Sequence, residues 1–190
     1  MNPEVTEVSV APGATAVVAL GCTLLVARPL LVDSSAHPRT LLLVLFAGLA
    51  LIGLLWPSPP PARSERPAPG VTLAVLTFGV ATFTAARLLG GGHPPAAPTL
   101  AFVAMNSLAA VAEEAFFRRL VYGLLIGHGP GYAIAGSAVL FAAVHVTTYG
   151  YWVLPIDLGA GLVLGWQRWS SSSWLVPAVT HVAANVLVVI

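Results

Sequence analysis

TLAFVAMNSLAAVAEEAFFRRLVYGLLI, Thr99 to Ile126, is apolar until it meets Glu113, Glu114 and Arg118. The stretch has the length and character of a membrane helix, and an ionisable side chain at the centre of such a helix costs about 2.5–3.5 kcal/mol to insert. Three of them in six residues imply mutual pairing or a water-filled cavity. At 100° per residue Glu114 and Arg118 lie on one face and are spaced to pair. Glu113 sits on the adjoining edge as the carboxylate left over for chemistry. Arg119 points nearly the opposite way, towards an interface or another helix. The purely structural alternative is a buried ion pair that fixes helix packing.

The rest of the chain agrees with a membrane setting. Of its 190 residues 57% are hydrophobic and only 8% charged, with a mean hydropathy of +0.89. A soluble domain carries about 25% charged residues, so these few charges cannot cover a water-exposed surface. The expectation is an all-α, polytopic membrane helical bundle. A net charge of +1 offers no basic patch for nucleic acid. The lone Cys22 excludes an intramolecular disulfide or a cysteine metal site. Glu4 and Glu7 stand where a signal peptide carries positive charge, so the first apolar segment reads as a retained helix.

A hydrocarbon core of about 30 Å needs roughly 20 apolar residues per crossing. Seven segments are predicted at about Ala11–Val32, Thr40–Trp56, Val71–Leu89, Thr99–Ile126, Tyr132–Val146, Val153–Trp169 and Trp174–Ile190. The last two are short enough to be tilted or partly re-entrant. The Pro-rich stretch Pro57 to Gly70 reads as a non-helical connector, and GGGHPP at Gly90 to Pro95 as a break. Trp56, Trp152, Trp166, Trp169 and Trp174 fall near segment ends, as interfacial anchors do. Basic residues divide evenly between alternate loops, so orientation is not decided. Residues 1–98 are taken as N-terminal membrane helices with the connector, and 99–190 as a catalytic core.

Two later segments add polar groups. His145 follows Phe141 by four residues, and His181 precedes Asn185 by four, so each pair shares a helix face. Interhelical hydrogen bonding, worth about 0.6–2 kcal/mol, is the structural alternative for His181 and Asn185. Taken together, Glu113, His145, His181 and Asn185 supply what a hydrolase needs: a base for water, a partner to orient it, and donors for an oxyanion. Two histidines and a carboxylate also form a catalytic zinc set, here Glu113, His145 and His181, although no HExxH occurs.

The motifs EEAFFR (Glu113 to Arg118), FAAVH (Phe141 to His145) and HVAAN (His181 to Asn185) resemble those of the CPBP family, the Abi or CAAX-protease group of intramembrane endopeptidases. LGAGLVLGW, Leu158 to Trp166, is similar to the Gly-containing helix that family places between its last two motifs. The resemblance covers roughly Thr99 to Ile190. It implies water activation by Glu113 and His145 and oxyanion stabilisation by His181 and Asn185, with Glu114, Arg118 and Phe141 in support. It leaves open whether the mechanism rests on glutamate or on zinc; an Asn in the set favours glutamate, with no cofactor. The family commonly has Gly after the Arg of its first motif, where this chain has Arg119.

The function expected is intramembrane hydrolysis of a peptide bond in a membrane-associated protein or peptide, within the bilayer of a bacterial plasma membrane. The alternatives are a non-enzymatic scaffold or bacteriocin-immunity-type protein, and an ion-coupled transporter, which the lack of internal repeats disfavours. Asp157 reads as an interfacial acid beside Tyr151 and Pro155. His37, His93 and His128 read as solvated loop residues. Gly161 and Gly165, four apart, read as a close helix contact.

Overall fold

A computed structural model describes residues 13–57, 67–90 and 99–187. Among them are seven helices and no strand: α1 (Ala14–Asp33), α2 (Pro38–Leu55), α3 (Pro69–Leu89), α4 (Leu100–His128), α5 (Pro130–Tyr149), α6 (Leu154–Ser171) and α7 (Leu175–Leu187). A short 3₁₀ turn, Tyr151–Val153, joins α5 to α6. The chain is a polytopic helical bundle. Five helices, α1 to α5, are long and apolar enough to cross a membrane. The expected sixth and seventh segments are helical too. But α6 carries Asp157, Gln167 and Arg168, and α7 is described over only 13 residues.

Helix starts follow local chemistry. Proline opens α2, α3, α5 and α6 within the first turn, where its missing N–H is no loss. This corrects the connector boundary, because Pro69 and Gly70 belong to the first turn of α3. Thr99 caps α4, its hydroxyl accepting from the Phe102 N–H at 3.2 Å. The expected segment ends at Ala11–Pro12 and Val188–Ile190, the centre of the Pro-rich connector, and His93 lie outside the described residues.

The largest departure from expectation is inside α4. Regular α geometry stops at Glu114, a π-helical stretch runs from Ala115 to Val121, and α and 3₁₀ turns finish the helix. Such wide turns inside α-helices are frequent at functional sites. Here the wide turn buries Phe116, Phe117, Arg118, Leu120 and Val121 together. Phe116, Phe117 and Phe141 form an edge-to-face chain with centroids 5.0 and 5.5 Å apart, joined to Leu25, Phe46 and Leu49 in one core.

Close backbone contacts set the helix spacing. Gly53 of α2 lies on the wide turn, where an added Cβ would come within 2.5 Å of the Ala115 carbonyl carbon. Gly161 faces Ala138 and Gly165 faces Ile134, so α6 packs tightly on α5, as the four-residue glycine spacing implied. Gln167 of α6 is fully buried; its amide nitrogen donates to the Val75 carbonyl (2.8 Å) and the Thr180 hydroxyl (3.0 Å), tying α3, α6 and α7. Trp166, five residues before the end of α6, packs edge-on against Phe78 of α3. Leu20, Leu43, Val44, Leu51, Leu73 and Phe78 are exposed, an apolar surface matched to lipid.

Candidate active site

Each acid of the α4 pair has its own surroundings. Glu114 is fully buried. Its Oε2 lies 3.3 Å from Arg118 Nε and its Oε1 accepts from His181 Nδ1 at 3.0 Å. Arg118, also fully buried, donates from Nη2 to the Gly161 carbonyl at 3.2 Å and lies 4.6 Å over the Phe141 ring. The close approach of Gly161 to α5 brings that carbonyl into reach. Arg118, Glu114 and His181 thus form a continuous buried relay from α6 to α7.

Glu113 makes no such direct bonds. Its Oε2 is 3.8 Å from His145 Nε2 and 4.0 Å from His181 Nε2, and its Oε1 is 4.0 Å from Arg28 Nη1. Each gap is too wide for a hydrogen bond and suits a bridging water. The histidine tautomers follow from their other partners. His145 Nδ1 lies 2.7 Å from the Phe141 carbonyl, which can only accept, so Nδ1 carries a proton. His181 Nδ1 faces a carboxylate and does the same. Both Nε2 atoms are thereby aimed at Glu113.

Glu113, His145, His181 and Asn185, from α4, α5 and α7, line one cavity of about 990 Å³. Phe141 is at its back, 4.6 Å from the His145 ring and 5.8 Å from that of His181. Asn185 sits one turn beyond His181 and donates one amide N–H to the Asn106 carbonyl at 3.2 Å. Glu114 and Arg118 lie behind them and do not line the cavity. Among the described residues no group of three or more His, Cys, Asp or Glu is disposed to hold a metal ion.

The cavity has further wall residues that sequence reasoning missed. Asp157, expected at an interface, lines it with Oδ2 3.7 Å from His145 Nδ1. Its signal was available: it is the one carboxylate side chain after Glu114 in the sequence. Tyr149 stacks on the His145 ring at 5.8 Å and 12°. Arg28 enters from α1, signalled only by the Arg-Pro pair late in an apolar run. Arg119 goes elsewhere, donating to the Gly53 and Trp56 carbonyls at the C-terminus of α2. The charge after the first motif therefore caps a neighbouring helix and leaves the cavity wall unaltered. His37 and His128 are exposed, as expected, His128 beside Tyr132.

The cavity opens among helix ends. The ends of α1 and α5 and the starts of α2, α4 and α6 line it together on one face of the bundle, as alternating crossings require. His145 and Arg28 lie four and five residues before their helix ends, about 6–8 Å along the helix axis.

Residues 95–187 match the family described as type II CAAX prenyl endopeptidase Rce1-like. That segment, just under half of the chain, is similar to the family. No curated protein and no solved structure matches the chain. The match agrees with the CPBP resemblance and supports intramembrane peptidase activity of the CAAX type in general terms, in an integral multi-pass membrane protein. The matched segment contains the three motifs, on α4, α5 and α7, and α1 to α3 lie outside it.

Proposed function

We propose that the chain is an endopeptidase that hydrolyses a peptide bond of a membrane-associated protein or peptide with a water activated by Glu113. The observation that carries this reading is the convergence of Glu113 Oε2, His145 Nε2 and His181 Nε2 at 3.8–4.0 Å inside one cavity. One water there would donate to Glu113 Oε2 and His145 Nε2 and be stripped of bulk solvent. Glu113 takes a proton as the water oxygen bonds to the scissile carbonyl carbon, and the carbonyl becomes an oxyanion. Collapse then expels the amine, which leaves with that proton. His145 orients the water, and the oxyanion is faced by Asn185 and by His181 carrying a proton on Nε2 as well as on Nδ1. Glu114 and Arg118 hold the His181 ring, in the way a second group orients a catalytic base. The bacterial plasma membrane is the proposed compartment.

A glutamate mechanism without metal is favoured by Asn185, whose amide is a better donor to an oxyanion than a zinc ligand. If zinc served instead, Glu113, His145 and His181 would hold it. Activity of the purified protein is expected to survive exhaustive chelation within about twofold; loss on chelation with recovery on added zinc replaces this mechanism with the metal one.

The peptidase reading itself is tested by comparing membrane peptides from cells with the wild-type chain and with a variant carrying both Glu113→Gln and His145→Ala. Fragments present in the first and absent in the second are expected. Identical peptides at equal protein abundance would leave a partner-binding scaffold in its place.

A further inference from the structure

The donors assigned to the oxyanion are already partly committed. His181 Nδ1 serves Glu114, one Asn185 N–H serves the Asn106 carbonyl, and His145 Nδ1 serves the Phe141 carbonyl. Arg118 is sealed behind Phe141 and off the cavity wall. A second guanidinium is better placed. Arg28, near the end of α1, lines the cavity with its side chain 12% exposed. Its Nη2 donates to the Thr148 hydroxyl of α5 at 2.8 Å, and its Cζ lies 5.7 Å over the Phe46 ring of α2. These contacts fix the plane of the group and direct Nη1 to within 4.0 Å of Glu113 Oε1.

We propose that Arg28 is a catalytic residue, contributed from outside the family-matched segment, whose Nη1 donates to the scissile carbonyl oxygen and stabilises the oxyanion. This rests on the peptidase reading above. The electrostatic logic is a charge that moves while its partner stays still. Before attack, the negative charge is on Glu113 and Arg28 is its cationic neighbour. On attack Glu113 gains the water proton and becomes neutral, and the same unit of negative charge reappears on the carbonyl oxygen beside it. A guanidinium held by Thr148 and Phe46 meets that charge without reorganising, which is the condition under which such donors act most strongly.

The test uses the full chain in liposomes and a substrate taken from fragments that depend on Glu113. Arg28→Gln is expected to lower kcat by about 10²–10³-fold, with KM changed by less than about threefold, the split that marks an interaction made only in the transition state. Arg28→Lys restores charge without the planar fork and recovers about tenfold of the loss. Thr148→Val removes the tether but leaves the charge, and loses less than about tenfold. Thermal melting in detergent reports folding of each variant. A rise in KM alone would make Arg28 a substrate anchor and overturn the proposal. So would an equal loss in Thr148→Val, or a loss in Arg28→Gln that tracks loss of folded protein, since α1 is then only tethered. If no fragment depends on Glu113, the peptidase reading fails first and this inference with it.

Discussion

Replacing Glu113 with Gln is expected to lower kcat by about 10²–10⁴-fold, the range a positioned general base contributes, while the protein remains folded. The two halves of this expectation come from the same geometry. Gln keeps the size of the side chain but cannot take a proton from water. Folding is spared because Glu113 makes no direct hydrogen bond among the described residues; Arg28, His145 and His181 all stand 3.8–4.0 Å from its oxygens. Kinetics on a Glu113-dependent substrate, with melting in detergent as the control, check both. Wild-type turnover in this variant would remove Glu113 from the mechanism.

The adjacent pair is expected to behave in the opposite way. Arg118→Met should destabilise the protein by about 3–5 kcal/mol, the cost of breaking a buried pair and leaving its partner's charge uncompensated. Arg118 and Glu114 are both fully buried, and removal of the guanidinium also strips the Gly161 carbonyl of its donor. Adding Glu114→Gln in the same chain removes the stranded charge and should recover part of that loss. Activity should not recover, because His181 Nδ1 then loses the carboxylate that fixes its ring. Unfolding in denaturing detergent and kinetics on the two variants separate these effects. Equal stability of Arg118→Met and wild type would show that the pair carries no structural weight.

The sequence made much of this site legible because charge is so scarce in the chain. Glu113, Glu114 and Arg118 stand out in an apolar segment, and a four-residue spacing suffices to pair Glu114 with Arg118 on any helix. The lengths of the apolar runs likewise located the seven helices. It could not show the wide turn at Ala115–Val121, since the residues there are ordinary apolar and basic ones and the geometry is decided by packing against α2 and α5. Arg28 and Asp157 were harder still. Each is a single charge near a helix end, where interfacial solvation is the usual explanation. Only the three-dimensional arrangement turns those two side chains inward, to Glu113 and to His145.

The face on which the cavity opens has a consequence for selectivity. Tyr149 and Trp152 line the cavity on this rim and are exposed, as is the neighbouring Tyr151, and such rings settle at the level of lipid headgroups. They hold the mouth at a fixed height while the reacting atoms stay a turn or two beneath it. A chain tethered in the same leaflet would then present whichever bond its anchor suspends at that depth. The enzyme would measure distance from the lipid surface, as a ruler does, before it consulted the side chains on either side of the cut.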